Sequence, residues 1–364
     1  MRILLVVTNA DLAGAPIHVR DLALRLDQWG HSVHVVFGEN GPVRDQLQAE
    51  GIATDCVPTL RSNIHPLQDI ASWRALSAIA RRVQPDVLHL HSSKAGLVGR
   101  LVAWRLGLPA VYTVHGWGFG PGRRWHVALF VRLTEWLCRP FTRRYIAVSH
   151  TDRRIGARAL ALNADRICTI YNGTAFVAKP HLADSRRLSL IMVARNDHPK
   201  DYPTFFKALA RADFDEAMVV GHGTDAPLFI AQARELLGAK VDRVKFLGAR
   251  SDVEILLEQA NVMVLSSRFE GLPISLIEAM SKGLALLGSR VGGVPELVED
   301  GVNGWLFDAA DDEQLARRID ALQGDPSLRQ RMGQASLNRF KADFELDAMV
   351  SKTLEQYRLA CFYN

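Results

Sequence analysis

The stretch NVMVLSSRFEGLPISLIEAMSKGLALLGSRVGGVPELVEDGVNG, from Asn261 to Gly304, carries the pattern from which the rest of the chain can be read. Val262 to Leu265 is a short apolar run that empties into Ser266 and Ser267, as a buried strand ending in a loop does. Glu270, Gly271 and Pro273 lead into a segment with Leu276, Ile277, Ala279 and Met280 on one side, which predicts a helix from about Leu272 with Pro273 in its first turn. That helix turns its N-terminus to the loop. In an open parallel sheet, such a corner favours a phosphate, because unpaired backbone N–H groups and the helix dipole both attract an anion. Glu270 and Glu278 flank the corner with seven residues between them. Alone, either reads as an ordinary loop or helix acid. As a pair beside an anion site they fit a sugar nucleotide, whose sugar and ribose hydroxyls donate to carboxylates that its diphosphate would avoid. Downstream, Ser289-Arg290-Val291-Gly292-Gly293-Val294-Pro295-Glu296 follows a second apolar run, Leu284 to Leu287, and sets two glycines at a second strand exit. Two adjacent corners of this kind predict a diphosphate cradle.

On these residues the stretch resembles the large family of retaining glycosyltransferases with the GT-B fold, the glycosyl transferases group 1. The shared signature is a Glu, seven residues and a second Glu, set in Glu-Gly-Leu-Pro and Ile-Glu-Ala-Met; Glu270 to Met280 reproduces it, and Gly292 to Glu296 matches the glycine-rich segment that follows. A departure is Leu284-Ala285, where the family more often has a proline. The resemblance implies that Glu270 contacts the donor sugar and Glu278 the ribose, with Gly271 and Leu272 also at the donor. It implies a GT-B architecture of two Rossmann-like, doubly wound parallel-sheet domains facing across a cleft.

The composition is that of an ordinary globular protein, 48% hydrophobic and 23% charged, and 364 residues are enough for two domains. No apolar run approaches the roughly 18 residues of a membrane-spanning helix, and the chain enters a strand at once without a leader, which predicts a cytoplasmic protein. Cys56, Cys138, Cys168 and Cys361 lie far apart with no paired spacing, so neither a zinc site nor a disulfide framework is suggested. A net charge of +5 and a pI of about 9.1 favour an anionic partner.

Arg2 to Thr8 reads as a strand, followed by a loop and a helix from Pro16 to Trp29 ended by Gly30. Further strands at Ser32–Phe37, Val87–His91, Ala110–His115 and Tyr145–Val148, with helices between, build a parallel doubly wound sheet. Residues 1–172 thus form one Rossmann-like domain, taken by resemblance as acceptor-binding. In the first loop the family has two successive glycines near donor or acceptor, whereas here Gly14 is followed by Ala15. Residues 173–187, without periodicity, read as a linker. A second strand-helix series over 188–343 would bind the nucleotide sugar, and a final helix in 344–364 would, by resemblance, cross back to the first domain.

Within the second series Arg195 follows a strand, and Lys200 precedes a helix near Pro203. A forked guanidinium and a point-charged ammonium at a strand exit suit a diphosphate, and the family places such a pair on the donor phosphates. Gly221-His222-Gly223 after Val220 superficially fits a dinucleotide fingerprint. The next strand, however, ends in Gly248-Ala249-Arg250 rather than an acid, which disfavours a nicotinamide oxidoreductase and leaves Gly221 and Gly223 as a turn against the nucleotide. His115, at a strand end before Gly116, reads as structural or catalytic from its position; the resemblance places a His-Gly here on the donor sugar. Asp213-Phe214-Asp215 lies between a helix end and a strand rather than at a strand exit, so no metal or other cofactor is expected to be required.

The segment from Pro121 to Tyr145 mixes Arg123, Arg124, Arg132, Arg139, Arg143 and Arg144 with Trp125, Phe130, Trp136 and Phe141, and Glu135 is its one acid. It reads either as a basic, aromatic amphipathic helix for an anionic membrane surface, or as a core helix with solvated arginines. Nothing in the chain resembles an element that reads a nucleic-acid groove. The expectation is a retaining hexosyl- or N-acetylhexosaminyltransferase. It would move sugar from a nucleotide diphosphate donor, a UDP-sugar, to a saccharide acceptor linked to undecaprenyl diphosphate, in O-antigen, capsule or exopolysaccharide assembly at the inner face of the cell membrane. The alternatives are a non-catalytic sugar-nucleotide-binding protein and the disfavoured oxidoreductase.

Overall fold

The computed structural model describes residues 1–61, 65–120, 124–175 and 186–362. The chain divides into two compact units, Met1–Ala175 with Leu346–Asn364, and Phe176–Glu345. Most of the stretch read as a linker, and Pro121, Gly122 and Arg123, lie outside the described residues.

The first unit alternates β1 (Arg2–Val7), α1 (Gly14–Gln28), β2 (Ser32–Phe37), α2 (Pro42–Ala49), β3 (Ala53–Cys56), α3 (Pro66–Val83), β4 (Val87–His91), α4 (Ser93–Leu106), β5 (Ala110–Val114), α5 (Trp125–Cys138), β6 (Arg144–Ala147), α6 (His150–Leu160) and β7 (Ile167–Thr169). All seven strands pair in parallel in the order β3-β2-β1-β4-β5-β6-β7. Ile3 to Val7 are all buried, as expected of a strand covered by helices on both faces. One face packs under α1 and α2, the other under α3, α4 and α6. The order reverses between β1 and β4, so the crevice beyond their C-terminal ends is the place for a ligand. β3 went unread in the sequence because Ala53-Thr54-Asp55-Cys56 lacks an apolar run, and as an edge strand it needs none.

The second unit runs β8 (Ser189–Val193), α7 (Tyr202–Arg211), β9 (Glu216–Val220), α8 (Pro227–Leu237), β10 (Val244–Phe246), α9 (Val253–Glu258), β11 (Val262–Leu265), α10 (Ile274–Ser281), β12 (Ala285–Ser289), β13 (Gly304–Phe307), α11 (Asp312–Gly324) and α12 (Pro326–Asp343). Its parallel sheet has the order β10-β9-β8-β11-β12-β13 and reverses between β8 and β11. α10 begins at Ile274, two residues later than its apolar spacing implies, because Pro273 stays extended at the N-cap with ψ 118°. The last helix, α13 (Leu346–Phe362), belongs to the first unit, where Met349, Val350, Leu354 and Tyr357 join the core under α1.

Candidate active site

The reversal point of the second sheet brings together the two loops that the sequence reading singled out. The loop leaving β8 lies on the loop leaving β11. Lys200 and Ser267 form an antiparallel bridge, Asp201 N–H donates to Ser266 O at 2.8 Å, and Arg268 N–H donates to Pro199 O at 2.8 Å. This clamp delivers Lys200 to Glu270, and their side chains form an ion pair that is largely buried. Glu270 Oε1 also accepts from Ser267 Oγ at 2.6 Å, and Ser267 N–H is held by Ser289 Oγ at 2.9 Å. The carboxylate is therefore fixed from two sides.

Behind it, Gly293 N–H donates to Gly271 O at 2.8 Å, and Gly292 sits in the left-handed region at φ +52° with its Cα against the Glu270 carbonyl. Only glycine meets both demands, since a Cβ would run into that oxygen. α10 has no side-chain cap, and the start of such a helix favours an anion. Leu272 is buried beneath the turn, and Glu278 is half-buried on α10. Arg195 is exposed and paired with Asp197 at 3.1 Å. Gly221, at φ +145°, lies against Ala194 O at the exit of β8, and Gly223 follows at φ +80°. In this unit the elements thus group Arg195, Lys200, Gly221, Gly223, Glu270, Gly271 and Leu272 around the exits of β8, β9 and β11.

The first unit has its own cluster at its reversal point. His115 follows β5. His91 ends β4 and faces it, with His91 Nδ1 and His115 Nε2 3.0 Å apart. His18, from α1, packs edge-on against His115 with ring centroids 4.9 Å apart. His89, two residues before His91 and hence on the same side of β4, packs against His91 with ring centroids 4.1 Å apart and the rings tilted by 47°. Burial pushes His18 down to about 4, partly offset by the Asn172 side chain. Burial, reinforced by neighbouring imidazoles, likewise holds His89, His91 and His115 well below the usual histidine range. The imidazoles are neutral at pH 7, so in the His91–His115 pair one nitrogen donates and the other accepts. Gly14 opens α1 and is exposed. Of the cluster, His18, His89 and His91 went unread in the sequence. The His-any-His of β4 was the available signal, because residues two apart on a strand share a face.

Asp213 and Asp215 are engaged structurally. Asp213 pairs with Arg243 at 3.3 Å, and Asp215 accepts from Leu188 N–H at 2.6 Å. The arginine-rich segment folds as α5, with its aromatic side chains outward rather than in the core. Its buried side chains are Glu135 and Cys138, with Glu135 bonded at 2.7 Å to the wholly buried Arg100, while Trp125, Phe130, Trp136 and Leu137 point to solvent. Arg124, Arg132 and Arg143 are exposed; Arg139 and Arg144 are tied to the carbonyls of Leu160 and Asp165. Among the described residues no helix is long and apolar enough to cross a membrane.

Two family models match the chain in succession, Glycosyltransferase Family 4 over residues 12–175 and Glycosyl transferases group 1 over residues 175–339. An Escherichia coli protein named UDP-Gal:alpha-D-GlcNAc-diphosphoundecaprenol alpha-1,3-galactosyltransferase is 26% identical over 348 residues, covering 89% of this chain and 88% of its own. Among solved structures, Anabaena Alr3699/HepE in complex with UDP and glucose superposes with a TM-score of 0.85 at 22% identity, over 98% of this chain and 99% of that one. WaaG, a glycosyltransferase of lipopolysaccharide biosynthesis, does so with a TM-score of 0.74 at 15% identity over 98% and 99%. With two contiguous family matches and this shared architecture, the chain belongs to the GT-B glycosyltransferases.

Proposed function

We propose that the protein transfers a hexosyl or N-acetylhexosaminyl unit, with retention of anomeric configuration, from a UDP-sugar to a saccharide carried on undecaprenyl diphosphate. The observation that carries this reading is the Lys200–Glu270 pair at the uncapped start of α10: a cation, an anion and a set of backbone amides meet at one loop. Lys200, with Arg195, neutralises the diphosphate as it leaves, where charge grows in the transition state. Glu270 accepts from hydroxyls of the sugar, Glu278 from the ribose, and neutral His115 is assigned a further hydrogen bond to the sugar. No carboxylate stands as a nucleophile in this scheme. The acceptor oxygen attacks on the face the diphosphate leaves, and the departing phosphate takes its proton. No metal is required, since Lys200, Arg195 and the helix amides supply the positive charge.

The acceptor follows from two supports. The E. coli relative named above acts on a diphosphoundecaprenol-linked sugar by its name. The outer face of α5 joins exposed indoles and leucines to Arg124 and Arg132, which suits the interface of an anionic bilayer, where aromatic rings sit at headgroup depth and guanidinium groups meet phosphate. The protein would then work on the cytoplasmic leaflet without spanning it.

A panel of nucleotide sugars tests the donor. A UDP-hexose should raise the melting temperature and, with an undecaprenyl-diphosphate-linked saccharide, release UDP and a product of the donor's anomeric configuration. Inversion at the anomeric carbon, or stabilisation only by nicotinamide dinucleotides, would overturn the assignment.

A further inference from the structure

Several buried polar groups of the first unit are satisfied within the protein. Lys94 is closed by both oxygens of Asp69 at 2.7 and 2.9 Å, and His89 by Tyr357 Oη at 2.6 Å and Thr113 Oγ1 at 2.7 Å. His18 and His91 keep ring nitrogens that are not. Neither ring nitrogen of His18 meets hydrogen-bond geometry, nor does Nε2 of His91, although both side chains are almost wholly inaccessible. A buried imidazole nitrogen left without a partner costs about 1–3 kcal/mol, so a ligand that engages His18 recovers that cost.

One nitrogen from each of His18, His91 and His115 can be chosen so that all three lie within 4.8 Å of one another. We propose that these three histidines bind a divalent transition metal ion, with Zn²⁺ as the fitting case. The donor set selects the ion. It is all imidazole, without the carboxylates that Mg²⁺ or Ca²⁺ would need, and neutral imidazole is a ready ligand for zinc. Two nitrogens bound to one tetrahedral zinc stand about 3.3 Å apart, and His91 Nδ1 and His115 Nε2 are already 3.0 Å apart. Binding turns the proton they share to the other nitrogen of its own ring, so both lone pairs face the metal and no proton leaves. His89 is excluded as a fourth ligand because both its nitrogens are engaged, and its tilted contact with His91 together with its Tyr357 and Thr113 bonds braces the cluster. His115 retains partial solvent access, which leaves a coordination position open to water.

Such a site would restrain the enzyme rather than serve it. Metal bound there occupies the nitrogen that His115 would offer the sugar, so Zn²⁺ should inhibit transfer reversibly; this consequence rests on the function proposed above.

The test uses the full-length protein after EDTA treatment and removal of the chelator. Titration with Co²⁺ should give one equivalent of visible absorption with the intensity of a four-coordinate ion, displaced by Zn²⁺. His18→Ala and His91→Asn should each weaken the binding more than about tenfold, while UDP still raises the melting temperature of both variants, reporting a folded second unit. A wild-type protein without a saturable one-equivalent spectrum overturns the proposal, and so does a spectrum that both variants retain. Cobalt binding that His18→Ala abolishes, together with transfer that Zn²⁺ leaves untouched, supports the site and removes His115 from the sugar instead.

Discussion

Lys200 and Glu270, separated by 70 positions in the chain, meet as an ion pair because two loops from the reversal point of one sheet are stitched together backbone to backbone. The pair also neutralises a cation and an anion that a sugar diphosphate would otherwise meet separately. When donor enters, the ammonium can turn to phosphate while Ser267 Oγ keeps Glu270 in place.

Lys200→Ala should therefore lower turnover by about 100-fold, the scale for losing one preorganised group that stabilises developing charge. The fold should persist, since Ser267 still holds the carboxylate. Steady-state UDP release with the best donor of the panel is the measurement. Turnover near the wild-type value in a folded variant would remove Lys200 from the diphosphate.

Gly292→Ala should cripple the same corner through the backbone. The left-handed conformation costs a non-glycine residue about 1–2 kcal/mol, and the new Cβ must also displace the Glu270 carbonyl. A melting temperature several degrees lower and a loss of UDP-induced stabilisation are expected. If alanine leaves UDP affinity unchanged, the glycine segment does not shape the donor site.

Activity should be complete in EDTA. In the proposed scheme positive charge at the donor comes from side chains and helix amides, so chelation would remove nothing the reaction needs. Loss of activity that Mg²⁺ or Mn²⁺ restores would refute this; a rise in activity on chelation fits the inhibitory zinc site.

Vesicles rich in anionic lipid should carry the protein into the pellet at low salt and release it as salt rises. Each basic residue near such a surface contributes about 1 kcal/mol, screened by added ions. Arg124, Arg132 and Arg143 changed to Glu, or Trp125 and Phe130 changed to Ala, should each reduce pelleting and spare UDP binding. Arg144 is left out of the set because it bonds the Asp165 carbonyl. Wild-type protein that stays in the supernatant at low salt would leave the outward face of α5 to another partner.

Stability should decline with acid in a window set by His18. Its folded value of about 4 lies below the unfolded value of about 6.5, so the unfolded chain binds the extra proton. The contribution is fully present above pH 6.5 and is lost as pH falls toward 4, by about 3 kcal/mol in all. In His18→Asn that loss is absent, so its melting temperature should fall less than that of the wild type between pH 7 and 4.5. Parallel curves for the two proteins would show that His18 does not govern the window. His89, His91, His115 and Tyr357 surround the same ring system or its neighbour and are unchanged in the comparison.

Much of the corner between β11 and α10 was legible in the sequence because its parts are local. Val262 to Leu265, the serines, Glu270 and the helix of Leu276 and Met280 lie within one strand-loop-helix unit, where periodicity and turn residues report directly on geometry. The histidine cluster was not legible, because α1, β4 and β5 each supply one ring and only tertiary packing makes them neighbours. For α5 the sequence left two readings open, a surface helix or a core helix, for a different reason. Periodicity reveals that a helix has two faces but not which is turned inward, and here the buried Arg100 on α4 draws Glu135 in and leaves the indoles outside. Pro273 shows the smaller error typical of element ends, shifting the helix start by two residues.

The placement of α13 bears on how the protein is made. Residues 1–175 emerge first from the ribosome, yet their core lacks Met349, Val350, Leu354 and Tyr357 until the last helix is synthesised. Until then His89 has no phenol to bond, and the core around α1 lacks the side chains that α13 supplies. The second unit, continuous from Phe176 to Glu345, has all its strands and helices in hand before the first can close. Synthesis order and completion order are therefore reversed, against the usual tendency of N-terminal domains to fold first. A nascent chain stalled before residue 346 should resist protease from 186 onward while remaining sensitive in its first 175 residues.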